Sequence, residues 1–222
     1  MHAPVDDTTR LDSELITEQR YLDVAYARLD AMRAAAESVR GAYSDVRAGG
    51  THQARLERDI ARRRQCIREG ASPDTFVVPG GRALLERLHA RGVKLYILSA
   101  TLERFVRQEA ALLDLARYFD GRIYGGHEDA ARFSKQRVFD RILREEQIPG
   151  AQLLSFGDGP VELHHTKELG GLAVAVASDE TEIGSGKIHE HKRTQLLAAG
   201  ADLVIPDYQA HAALMELIFR EK

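Results

Sequence analysis

The chain changes its hydrophobic rhythm once. In the first part apolar positions recur at helical spacing, and Leu15, Leu22, Ala25, Leu29, Met32 and Ala36 mark one stripe over residues 13–47. Ser13 or Thr17 is placed to cap its start. Gly49-Gly50-Thr51 interrupts the stripe, and "HQARLERDIARRRQCIRE" continues as a second helix with Thr51 as its cap. The spacing therefore predicts an αα-hairpin over 1–62, a unit that buries little by itself. Arg55, Arg58, Arg62, Arg63 and Arg64 crowd the second helix; they read as a solvated face, with an acidic partner as the alternative.

After Gly70 the pattern becomes alternating strand and helix. The runs "VKLYILSA" at 93–100, "LLSF" at 153–156, "LAVAVAS" at 172–178 and "DLVIP" at 202–206 predict buried parallel strands. Helical periodicity fills 80–91, 102–116, 135–147, 160–169, 190–199 and 209–220. Such alternation over 63–222 implies βαβ crossovers and an α/β, doubly wound sheet, whose ligands bind at the carboxyl ends of the strands.

Composition narrows the classes. With 222 residues, 44% of them hydrophobic, the chain is long enough for one α/β domain and an appendage. The net charge of −3 argues against a broad nucleic-acid footprint. The single cysteine, Cys66, excludes an internal disulfide framework and fits a reducing compartment. No apolar run approaches the ~18 to 20 residues of a membrane span, and no signal-peptide pattern opens the chain, so the expected location is cytoplasmic.

The strand ends carry the candidate chemistry. Ser99-Ala100-Thr101 offers a small hydroxyl and helix-start amides to an anion, and reads equally as an N-cap. Lys135, opening a helix after Phe133-Ser134, supplies a point charge suited to phosphate or a plain surface lysine. Asp158, flanked by Gly157 and Gly159, is followed one helical turn later by Glu162; hard cations such as Mg²⁺ take few carboxylates, so the pair suits a magnesium site, and a capped turn is the other reading. Asp179 and Glu180 follow a strand and read as loop acids, with a place near the mouth of the site as the alternative. His164-His165 read as a solvated or half-buried pair, since neighbouring side chains on a helix point ~100° apart, and His189, His191, Lys192 and Arg193 as solvated in a polar segment leading to a helix start.

In their order, "YILSATLE", "FSK" and "FGDGPVE" resemble the second, third and fourth motifs of the haloacid dehalogenase (HAD)-like hydrolases, and residues 64–219 are similar to the C-terminal part of that superfamily. The resemblance implies a HAD-like Rossmannoid three-layer fold. It also implies phosphate binding by Ser99, Ala100 and Thr101 with Lys135, Mg²⁺ at Asp158 and Glu162, and a phosphorylated small molecule as substrate. Many relatives have glycine where this chain has Ala100, which brings a methyl toward the phosphate approach. Family members open with a strand ending Asp-x-Asp-x-Thr or Val, whose first aspartate attacks phosphorus. Here the one early carboxylate pair followed by threonine is Asp6-Asp7-Thr8-Thr9, with the wrong spacing and just "HAPV" before it. The expectation is an incomplete sheet without the nucleophile. The family's first strand lies between those carrying the second and fourth motifs, so the flanking strands either close up, are bridged from another chain, or leave a poorly folded core.

Residues 14–59, with "EQRYLDVAYARLDAMR" and "GGTHQARLERD", resemble the N-terminal helices of UvrD-like superfamily 1 helicases that associate with RNA polymerase. That resemblance implies RNA polymerase as a partner, although no GxxxxGK[ST] loop of a helicase motor is present. Three readings stay open: an impaired HAD-type phosphatase, a non-catalytic binding protein docking through its N-terminal helices, and a fusion of two gene fragments without selected function.

Overall fold

The computed structural model describes residues 52–127 and 133–219. The helix expected over 13–47, the Asp6-Asp7-Thr8-Thr9 stretch and residues 14–51 of the helicase-like segment lie outside them. The chain divides by its contacts between Asp59 and Ile60, and the α/β architecture belongs to the unit that begins at Ile60. In chain order the elements are α1 (His52–Arg68), α2 (Gly81–Ala90), β1 (Ile97–Leu102), α3 (Glu103–Leu112), β2 (Ile123–Gly126), α4 (Lys135–Glu146), β3 (Leu154–Gly157), α5 (Pro160–Glu168), β4 (Leu172–Val176), α6 (Glu190–Ala198), β5 (Leu203–Ile205) and α7 (His211–Ile218). Cys66 is a free, half-buried thiol on α1.

Every strand pair is parallel, and helices cover both faces, as the alternation predicts. On one face Leu84 and Leu88 of α2, Ala110 of α3 and Leu214 and Met215 of α7 close over Phe156, Leu203 and Ile205. On the other, Leu163 of α5 and Leu196 of α6 rest on Ala173, Ala175 and Ala177, along and just past β4. From Ala173 on, β4 is buried on both faces, which is why it reads in sequence as an unbroken apolar run. The α/β three-layer architecture is thus present.

The strands form two sheets, however: β1 with β2, and β3, β4 and β5 in that order. Among the described residues no ladder joins β1 to β3.

Two local expectations need correction. The run at 93–100 becomes strand only from Ile97 and continues to Leu102, because its extent is set by pairing with Ile123, Tyr124 and Gly126. Thr101 therefore lies within the strand, and the helix begins at Glu103. The other correction is β2, which the apolar pattern does not reveal. Half of Ile-Tyr-Gly-Gly is glycine, and these glycines are needed for close approach: a Cβ on Gly125 would come within 2.6 Å of the Glu103 nitrogen and 2.7 Å of the Thr101 carbonyl oxygen, and one on Gly126 would strike the Ala100 carbonyl.

Candidate functional site

At the end of β3, Gly157 and Gly159 flank the exposed Asp158. Their role is room. A Cβ on Gly157 would sit 2.6 Å from Cγ and 2.8 Å from Oε1 of Glu162, and one on Gly159 would sit 2.9 Å from Oε1. Glu162 folds back over both glycines as the third residue of α5, and its Oε1 accepts the Gly159 N–H at 3.0 Å. Its Oε2 accepts from Lys135 Nζ at 2.7 Å; the side chains are 14% and 18% exposed, so this ion pair is only partly screened by solvent. Two residues read separately from sequence, a phosphate lysine and a metal carboxylate, thus meet as one bridge between α4 and α5.

Ser99 and Thr101 engage each other. The Thr101 N–H donates to Ser99 Oγ at 3.1 Å, while Ala100 is exposed. No hydrogen bond or ion pair links these residues to Lys135, Asp158 or Glu162. Behind the Asp158 loop, the fully buried Thr166 hydroxyl lies 2.7 Å from Ser155 Oγ and 2.8 Å from the Glu162 carbonyl oxygen, fastening α5 to β3.

Tyr208, just past β5, is a neighbour that sequence reasoning missed. Its N–H donates to the Pro79 carbonyl at 2.9 Å, and its ring meets Phe156 edge-on at 5.7 Å. Burial raises the phenol well above its usual range, and the negative charge of Asp158 pushes it the same way. The only signal for it was an aromatic residue directly after the last apolar run, in "VIPDY". Buried Asp207 was also missed; it accepts from the Gln209 N–H at 2.9 Å and Nε2 at 2.8 Å, and Gln209 Nε2 also reaches the Gly184 carbonyl at 3.1 Å.

Asp158, Asp179, Glu180, Lys187 and Asp207 line a cavity of 340 Å³, so the two loop acids do reach the neighbourhood of Asp158. Both are engaged, Asp179 by the Thr181 hydroxyl at 2.6 Å and N–H at 2.9 Å, which hold its carboxyl below the usual range, and Glu180 by Lys192 at 2.5 Å. His189 caps α6 by accepting the Lys192 N–H at 3.2 Å. His164 and His165 both turn to Glu168, at 3.3 and 3.1 Å.

Magnesium is held through one or two carboxylates, with waters and substrate phosphate completing the shell. The described residues fit that requirement in part. Asp158 offers a carboxylate with no hydrogen bond or ion pair among the described residues, whereas both oxygens of Glu162 are already engaged. No group of three or more His, Cys, Asp or Glu side chains able to hold a metal occurs among the described residues. No helix among them is long and apolar enough to cross a membrane.

The fold and this site can be set beside known proteins. The phosphoglycolate phosphatase of Pseudomonas fluorescens is 28% identical over 103 residues, which are 46% of this chain and 38% of that relative. A HAD-like protein of unknown function from Agrobacterium tumefaciens superposes with a TM-score of 0.51 at 19% identity, over 64% of this chain and 60% of its own. A HAD family hydrolase from Deinococcus radiodurans, solved with bound phosphate and sodium, gives 0.50 at 16% identity, over 64% and 58%. The chain thus spans less than two thirds of each of these relatives, and at such identities the structures speak for the fold alone. The family pattern of the haloacid dehalogenase-like hydrolases matches residues 6–164, well over half of the sequence; it begins 58 residues before the resemblance read at 64–219, includes Asp6 and Asp7, and ends at 164. On that match the chain belongs to the haloacid dehalogenase-like hydrolase family.

Proposed function

We propose that the chain is a phosphohydrolase-like protein that keeps a phosphate- and Mg²⁺-binding mouth but lacks the attacking aspartate, and so turns over phosphate esters poorly. The observation that carries this reading is the isolation of Asp158: it stands at the end of β3 with no second free carboxylate among its described partners, beside a break between β1 and β3. A bound Mg²⁺ would neutralise charge on a phosphoryl group at this mouth. Asp158 is its ligand, Glu162 stands behind it, and Ser99, Ala100, Thr101 and Lys135 face the phosphate of a phosphorylated small molecule. Lys135 is drawn away from that role for as long as it pairs with Glu162. Without a nucleophile, only the modest rate enhancement from binding and electrostatics remains.

The test is hydrolysis of p-nitrophenyl phosphate with Mg²⁺, in parallel with Mg²⁺ titration followed by calorimetry. The expected result is weak Mg²⁺ binding lost in Asp158→Ala, and turnover no greater than that of the variant. Robust turnover that Asp158→Ala abolishes overturns the claim that the nucleophile is missing. Unchanged Mg²⁺ binding in the variant overturns the metal assignment.

A further inference from the structure

Among the described residues β2 pairs with β1 alone. The register sets Ile97 opposite Ile123, and the Ile97 N–H donates to the Arg122 carbonyl at 3.0 Å. Successive strand residues direct their backbone groups to opposite sides, so Arg122 and Tyr124 serve β1 while Ile123 and Gly125 direct theirs outward. An outward row of this kind is a template for one more strand.

Two side chains of α3 occupy that row. Arg107 donates to the Ile123 carbonyl at 2.7 Å from one terminal guanidinium nitrogen and to the Gly121 carbonyl at 3.3 Å from the other. Glu103 Oε2 accepts the Gly125 N–H at 3.3 Å, and Arg107 Nε donates to Glu103 Oε1 at 2.7 Å, which ties the two together. The chemistry runs in the order the strand requires, a donor at the outward carbonyl and an acceptor at the outward N–H. Gly125 admits this approach, since a Cβ there would lie 2.3 Å from the Glu103 Cα. The two side chains are 44% and 40% exposed, and an ion pair so open to solvent adds little stability by itself. Its consequence lies in the backbone groups it covers.

We propose that Glu103 and Arg107 guard the outer side of β2 against a second copy of this chain. The strand is complementary to itself. About a two-fold axis through Tyr124, Ile123 of one copy stands opposite Gly125 of the other, so the carbonyl that Arg107 covers and the N–H that Glu103 covers are each other's partners, twice over. Gly125 and Gly126 put no side chain in the way. With the guard in place both groups are already bonded, and the copies stay apart along this edge.

The test uses the full chain and two variants. Arg107→Met keeps the aliphatic stem and removes every donor, and Arg107→Lys keeps one. Light scattering after size exclusion and backbone amide hydrogen exchange are followed across protein concentration. Arg107→Met is expected to reach twice the mass of the wild-type species as concentration rises. Its Gly125 amide should exchange faster than wild type when dilute and about tenfold slower when concentrated. Arg107→Lys should match wild type in mass. An Arg107→Met mass equal to wild type at every concentration overturns the proposal, as does association that leaves the Gly125 amide unprotected. Doubling in Arg107→Lys as well overturns the assignment of the guard to a donor at Ile123. Loss of the native circular dichroism signal in Arg107→Met overturns it too, because the side chain then holds the fold together instead of covering an edge.

Discussion

Replacing Glu162 by alanine removes three interactions at once. The Gly159 N–H loses its acceptor, a capping contribution of about 1 kcal/mol. The first turn of α5 loses its single acidic residue, about 0.5 kcal/mol of favourable interaction with the helix dipole. Lys135, 18% exposed, loses its counter-ion; a fully buried pair costs roughly 3 to 5 kcal/mol to break and an exposed one almost nothing, so this partly buried one falls near 1 to 2. Together the loss is about 2 to 4 kcal/mol, which for a chain of this size lowers the melting temperature by roughly 5 to 15 °C. Thermal and urea unfolding followed by circular dichroism measure it, and a double-mutant cycle with Lys135→Ala isolates the bridge, whose coupling energy is expected near 1 kcal/mol. Glu162→Gln, which keeps an acceptor for Gly159, falls between wild type and Glu162→Ala. A Glu162→Ala cost under about 0.5 kcal/mol with no coupling to Lys135 refutes the reasoning, because α4 and α5 are then held together by something other than this side chain.

Other changes probe neighbouring features. Gly80 has φ of 78° and its Cβ position falls on the Tyr208 carbonyl, so Gly80→Ala combines left-handed strain with a displaced Tyr208 loop; a loss of about 2 to 4 kcal/mol is expected in urea unfolding. Thr166→Val leaves the Ser155 hydroxyl without its buried partner, and the same assay should report a loss of about 1 to 3 kcal/mol. Burial acts to raise the Asp202 carboxyl, but the Ala173 N–H at 2.8 Å and Lys167 at 2.7 Å outweigh it and hold the group below its usual value. A depressed folded-state pKa means stability that is fully present above the unfolded value, about 3.9, and lost as pH falls through the folded one. Unfolding curves between pH 5 and 2 should show that acid loss in wild type and a shallower slope in Asp202→Asn.

The strands at 153–156, 172–178 and 202–206 were legible as unbroken apolar runs, which burial on both faces explains for 173–176 while 154–157 and 203–205 are half-buried, and the fold class follows from their alternation with helices. The strand Ile123–Gly126 was not, since what fits it beside Ile97–Leu102 is the lack of side chains at Gly125 and Gly126, which no hydrophobicity pattern records. Lys135, Asp158 and Glu162 stood out by type and by position after strands. The bridge between Lys135 and Glu162 spans 27 positions and became visible only in three dimensions. Tyr208 was hidden for a similar reason: its proximity to Asp158 depends on the end of one strand being folded beside the end of another.

The row Ala173, Ala175 and Ala177 has a mechanical consequence for the mouth. Three methyl groups set how closely the helices beginning at Pro160 and Glu190 approach the sheet, and Ala175 is the register partner of Gly157. A larger residue at 175 would press on the end of β3, from which Asp158 follows, and on the helices packed over it. On this reasoning Ala175→Leu would alter the placement of Asp158 through the packing of the core beside Gly157.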